Sequence, residues 1–258
     1  MNKIKMSQLL NYKLEGSGQT LVLLHGLFGN LDNLGLLARD LVKDYQVLSV
    51  DLRNHGLSFH SDKHSYHTMA EDVVDLLSHL GLSNVILIGH SMGGKVAMKV
   101  TELIQARVQK LIVLDMAPVS YTVHRHENVL YGLQAVIDAK PSNRSDAISL
   151  MSEHIEIEGV RQFLSKSLYR VNDAMAWRFN VDAIIDNYWG ILGWHTLSAI
   201  EVPTLFVKGE QSDYLLAEHQ ADIQKQFPNA KAHIVSNTGH WLHAEKPKEV
   251  IRVIRNFI

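Results

Sequence analysis

Uninterrupted apolar runs alternate with helical periods along the first half of the chain. Residues 20–24 (TLVLL) are apolar throughout, as a strand buried on both faces requires. Leu34, Leu37, Leu41 and Val42 then recur at helical spacing, and residues 45–50 (YQVLSV) predict a second buried strand ending at Asp51. Thr68 and Glu71 fit the S/T-x-x-E capping box, so a helix is expected to open there, with Val73, Val74, Leu76, Leu77 and Leu80 inward and Gly81 as its stop. A strand at 84–88 (NVILI), a helix at 93–103 and a strand at 111–114 (LIVL) ending at Asp115 continue the pattern. Before all of these, polar–apolar alternation over 6–14 suggests an antiparallel edge hairpin.

Strand and helix in alternation with short connections predict right-handed crossovers and a parallel sheet. The alternation breaks at Pro118. From there to His195 the periodicity is helical, as at Val129, Leu133, Val136 and Ile137, and is followed by a stretch rich in aromatics. Strands at 204–207 and 231–235, a helix near 215–227 and a closing helix from Pro247 then resume it. The expected organisation is a core of 1–117 and 196–258 carrying a helical insertion at 118–195. At roughly 75 residues that insertion is far longer than an ordinary connection and suits a lid.

The chain has 258 residues, of which 46% are hydrophobic and 20% charged, with a formal net charge of −2. That balance argues against disorder and gives no polyanion-binding signal, so no nucleic-acid partner is expected. No signal-peptide pattern or membrane-length apolar run occurs, so the expected location is cytoplasmic with no membrane partner. Cysteine is absent, which removes disulfides, thiolate metal sites and a thiol nucleophile. The 15 histidines raise metal binding as a question, yet H-E-x-x-H is missing and no Asp/Glu-His cluster has a ligand spacing. Neither a metal nor a cofactor is expected.

The most informative stretch is Gly89-His90-Ser91-Met92-Gly93-Gly94, a G-x-S-x-G pattern lying between an expected strand and an expected helix. A sharp strand-to-helix turn exposes the Ser91 hydroxyl, and the helix N-terminus lets the Met92 amide meet an oxyanion. His240, in NTGHW after the last expected strand, is the candidate base, and chain order puts it last. The loop His25-Gly26-Leu27-Phe28-Gly29 supplies the second oxyanion donor, the Leu27 amide, with His25 as a loop-bracing hydrogen-bonder. The orienting acid is open on spacing alone: Asp115 ends a strand, and Asp213 follows the next-to-last one. Asp51 to Ser58 (DLRNHGLS) reads as an Asp/Arg/Asn network under the site with Gly56 as its turn. Arg125, in His-Arg-His, suits an anionic part of a substrate. Phe28 and Trp241 are the other candidate substrate contacts.

Taken together, HGLFG, DLRNHGLS, GHSMGGK, LDMAPV, WRFN and TGHWLHAEKP resemble the α/β-hydrolase superfamily and, within it, the bacterial YbfF-type acyl esterases. The match runs in order over essentially the whole chain. The resemblance implies a mostly parallel twisted sheet flanked by helices with a helical lid, and cleavage of carboxylic esters or acyl thioesters of the acyl-CoA type. It also implies Asp115 as the acid, with Ser212 a possible fourth member beside His240. C–C bond hydrolysis, cofactor-free lyase or peroxidase chemistry, and ligand binding without turnover remain open alternatives, because a fold does not fix a reaction.

Overall fold

The computed structural model describes residues 8–258. Its first half contains β1 (Tyr12–Glu15), β2 (Thr20–Leu24), α1 (Gly35–Leu41), β3 (Gln46–Val50), α2 (Tyr66–His79), β4 (Val85–His90), α3 (Met92–Leu103) and β5 (Val108–Leu114). Next come α4 (Glu127–Ala139), α5 (Arg144–Ser152), α6 (Glu158–Ser165), β6 (Leu168–Val171), β7 (Ala174–Trp177), α7 (Val181–Asp186) and α8 (Tyr188–Leu192). The chain closes with β8 (Thr204–Gly209), α9 (Gln220–Gln226), β9 (Ala230–Val235), α10 (Leu242–Glu245) and α11 (Pro247–Phe257).

Seven strands form one sheet in the order β1-β3-β2-β4-β5-β8-β9, parallel throughout except for β1, which runs antiparallel to β3. Alternate residues of the apolar strands feed two cores. Leu21, Leu23, Ile86 and Ile88 pack with Leu37, Leu41, Val250 and Ile254 of α1 and α11. Val22, Leu24, Leu87 and Val113 pack with Val73, Leu77, Val96 and Val100 of α2 and α3. Both faces are therefore covered, which is why these strands read as unbroken apolar runs rather than as alternation.

Several expectations need correction. β1 pairs with β3 and not with a sequence neighbour, so the 6–14 stretch makes an edge strand rather than a hairpin; residues 6 and 7 lie outside the described residues. Helix α2 opens three residues earlier than expected, because Ser65 and Thr68 form the reciprocal cap. The added turn buries Tyr66, whose hydroxyl donates to the Ile191 carbonyl at 2.6 Å, so tertiary packing decides between two usable caps. The helix expected over 215–227 is a short 3₁₀ turn followed by α9.

Between β5 and β8 the chain leaves the sheet for α4 to α8 and a separate antiparallel hairpin, β6–β7. Helical periodicity gave no sign of that hairpin, because its four-residue strands are only partly buried and carry no apolar run. The segment packs on the strand ends through Phe179 against Phe28, with ring centroids 5.3 Å apart. It is tied there by the Asn180 amide to Asn54 O at 2.9 Å and by Ser167 Oγ to Phe28 O at 3.3 Å. No helix among the described residues is long and apolar enough to cross a membrane.

Candidate active site

β4 runs straight into α3, and Ser91 sits at the corner with φ 54° and ψ −121°. A non-glycine residue held there costs about 1–3 kcal/mol and persists only where its surroundings enforce it. Here the glycines on either side permit the approach. A Cβ on Gly89 would lie 2.2 Å from Gly93 O, and one on Gly93 would lie 2.3 Å from Leu24 O. The Ser91 amide is fixed by Leu114 O at 3.0 Å, and its own carbonyl accepts from Gly94 at 2.8 Å.

Because β4, β5, β8 and β9 are adjacent in order, the loops at their carboxyl ends meet. His240 Nε2 lies 2.9 Å from Ser91 Oγ, and its Nδ1 lies 2.6 Å from Asp115 Oδ2. Asp115 is fully buried and also accepts from the Gly209 amide at 3.0 Å and from the Ser212 hydroxyl. A carboxylate so supplied with donors is held in one orientation. Tyr214 stacks on the His240 ring at 4.0 Å between centroids, and buried His90 donates from Nε2 to the His240 carbonyl at 2.9 Å. Asp213 turns elsewhere. It pairs with Arg125, whose guanidinium holds the Asp213 carboxyl below the usual carboxylate range. Arg125 itself lies over the Tyr214 ring at 4.7 Å.

The 25–29 loop is pinned by two histidines. His25 donates from Nδ1 to Gly26 O at 2.8 Å and accepts from the Leu52 amide at 3.1 Å. His55 donates to Arg53 O at 3.0 Å and accepts from the Phe28 amide at 3.1 Å. Each pattern needs a neutral ring, and desolvation lowers His25 to about 4 and His55 to about 3. Phe28 takes φ 62°, leaving the Leu27 amide, like that of Met92, without an acceptor among the described residues. The supporting network is present: Asp51 accepts from the Leu31 and Leu57 amides, and Arg53 makes a two-pronged pair with Asp72. The role of His55 was missed in the sequence, where the stretch read as an Asp/Arg/Asn network.

A cavity of about 360 Å³ opens on Ser91 and His240, and Leu27, Phe28, Arg125 and Trp241 all line it. Its remaining wall includes His126 and Phe163, from the histidine–arginine stretch and the aromatic-rich stretch of the insertion, and Val160 and Tyr214, which sequence reasoning did not single out. The only signal for His126 was its place beside Arg125. Phe163 and Trp241 also line a second groove of about 900 Å³ whose other residues include Arg39 and Lys166. Among the described residues no three His, Asp or Glu side chains converge on a metal-sized point.

A parallel sheet with a serine on a strained strand-to-helix corner, faced by a histidine from the last strand, defines the α/β hydrolases. The α/β hydrolase fold family matches residues 19–247, and the chain belongs to it. It is 44% identical to esterase YbfF of Escherichia coli, with 92% of each chain covered. It is 36% identical to the mouse (Mus musculus) sn-1-specific diacylglycerol lipase ABHD11, covering 96% of this chain and 85% of that one. A solved marine microorganism esterase superposes with a TM-score of 0.94 at 36% identity, covering 98% of this chain and all of that one.

Proposed function

We propose that the protein is a serine hydrolase of carboxylic esters or acyl thioesters. One observation carries this reading: the line Ser91 Oγ, His240, Asp115, with heavy-atom separations of 2.9 and 2.6 Å. His240 takes the Ser91 proton as the hydroxyl attacks the acyl carbonyl, and Asp115 stabilises the imidazolium and fixes its tautomer. The Leu27 and Met92 amides receive the tetrahedral oxyanion, aided by the N-terminal end of α3. His240 then protonates the leaving alcohol or thiol, and a water activated by the same ring releases the acid. Ser212 acts as a fourth member by donating to Asp115.

Residues 118–195 form the lid over this site, and 1–117 with 196–258 form the core. Phe28, Trp241 and the apolar wall at Val160 and Phe163 suit an acyl chain, and the esterase and lipase names of the relatives support the same substrate class. Arg125 spends one guanidinium nitrogen on Asp213, and its Nε is buried without a partner among the described residues, so donors remain for an anionic part of a substrate. Hydrolysis of p-nitrophenyl butyrate by Ser91→Ala is the test: turnover is expected to vanish, and turnover near the wild-type rate would remove Ser91 as nucleophile. A series of acyl-CoA thioesters beside the matching oxygen esters then ranks the two leaving groups.

A further inference from the structure

Lys95 is an anomaly in α3. It lies one turn beyond Ser91, is completely buried and has no carboxylate partner among the described residues. Its ammonium donates to the carbonyls of Leu192 at 3.3 Å and Gly193 at 3.1 Å, where α8 ends and the chain returns to the core. Three aromatic rings enclose it: Tyr121 at 4.8 Å, Tyr66 at 5.3 Å and Trp194 at 5.6 Å from Nζ. Each ring face attracts a desolvated cation, and helix-end carbonyls do the same. A buried lysine built only for stability is poorly chosen, since an apolar side chain of similar length avoids the desolvation cost.

The enclosing rings lead to the reacting pair. The Tyr121 hydroxyl donates to Tyr214 O at 2.6 Å and accepts from the Ala117 amide at 3.1 Å. The Tyr214 amide in turn donates to Ser212 Oγ at 3.3 Å, and the Tyr214 ring lies flat on His240. On the other side, the Lys95 amide donates to Ser91 O at 3.3 Å. One residue thus touches the carbonyl of Ser91 and, through two tyrosines, the ring of His240.

We propose that Lys95 is a positioning residue that holds His240 in line with Ser91 through Tyr121 and Tyr214. The inference rests on Ser91 and His240 acting as proposed above. Burial lowers the Lys95 amine to about 7, so its charge is present below neutrality and lost above it. The titratable groups facing it are Tyr66 on α2 and Tyr121 after β5, and burial raises both phenols, so they stay neutral throughout. Arg125 lies on the Tyr121 ring as well, 5.5 Å from its centroid, and is cationic at every working pH. Of these groups, Lys95 alone changes charge near pH 7.

The test compares wild type, Lys95→Met and Tyr121→Phe on p-nitrophenyl butyrate from pH 6 to 9. Tyr121→Phe keeps the ring that faces Lys95 and removes the hydroxyl that holds Tyr214. For Lys95→Met at pH 6, kcat is expected to fall about tenfold, the size of a small misplacement of reacting groups, with KM within about twofold. The melting temperature is expected to shift little, because relief of the buried charge offsets the two carbonyls left without a donor. The wild-type advantage shrinks above pH 7 as Lys95 loses its proton. Tyr121→Phe lowers kcat similarly, and the double variant falls no further than either single one, as one coupled path requires. Unchanged kcat in Lys95→Met, additive losses, or a loss that tracks a fall in melting temperature would each overturn the proposal. Ser91→Ala measured alongside separates the two readings. If it is inactive while Lys95→Met is normal, only the positioning role fails; if it is active, both fail.

Discussion

Asp115 and Asp213 are both aspartates at strand ends on one sheet edge, and they differ in what they touch. Asp115 is fully buried beneath His240, whereas Asp213 presents 68% of its side chain to solvent and pairs with Arg125. Asp115→Asn is expected to cut kcat by about 10⁴-fold, because the amide favours the wrong imidazole tautomer. Asp213→Asn removes only an exposed ion pair and should stay within about fivefold. Parallel kcat measurements on one p-nitrophenyl ester check both, and a crippled Asp213→Asn with a healthy Asp115→Asn would reverse the assignment. Ser91 and His240 were legible in the sequence because each sits in a short local pattern at the end of an apolar run. Spacing left the acid undecided, because its choice depends on a side-chain direction set by contacts 94 to 125 residues away. Only the family resemblance favoured Asp115 in advance.

At the scale of elements, the corner between β4 and α3 depends on two backbone approaches with no room for a methyl group. Gly93→Ala would press a Cβ on the Leu24 carbonyl, and backbone cannot yield as a flexible side-chain tip can. A loss of about 3 kcal/mol, the upper end of ordinary overpacking, is expected and is read as a lower urea midpoint. Gly35→Ala is the control. It sits in α1 at φ −62° with nothing within 4 Å of a new Cβ, so a gain of about 0.5 kcal/mol is expected from the less flexible unfolded chain. Equal losses at both positions would mean that the corner has no special tightness. The parallel strands were legible because burial on both faces writes an unmistakable run. The β6–β7 hairpin was not, since partial burial leaves neither a run nor a clean alternation, and the start of α2 was misplaced because two caps competed locally.

Across the whole molecule, the histidine count has a thermodynamic meaning. Desolvation lowers His25 and His126 to about 4 and His55, His64 and His243 to about 3, so all five are neutral in the folded protein at pH 6.5. In the unfolded chain they take up protons near 6.5. The unfolded state therefore binds more protons as pH falls below that value, and stability is lost from about pH 6.5 down toward the folded values. Each such histidine contributes about 1.4 kcal/mol per pH unit against a total stability of about 10 kcal/mol. The melting temperature is expected to drop steeply between pH 6.5 and 5 and to go on rising above pH 7, where folded Lys95 sheds a proton that the unfolded chain keeps, and a flat profile below 6.5 would contradict the neutral histidine assignments. The strand order also has a consequence in time. Ser91 and Asp115 leave the ribosome well before Gly209 and Ser212, which bond to Asp115, and before His240, the proposed base. On the proposed roles, a nascent copy that has not reached His240 thus carries a serine with nothing to deprotonate it, and translation must pass residue 240 before the hydroxyl is chemically armed.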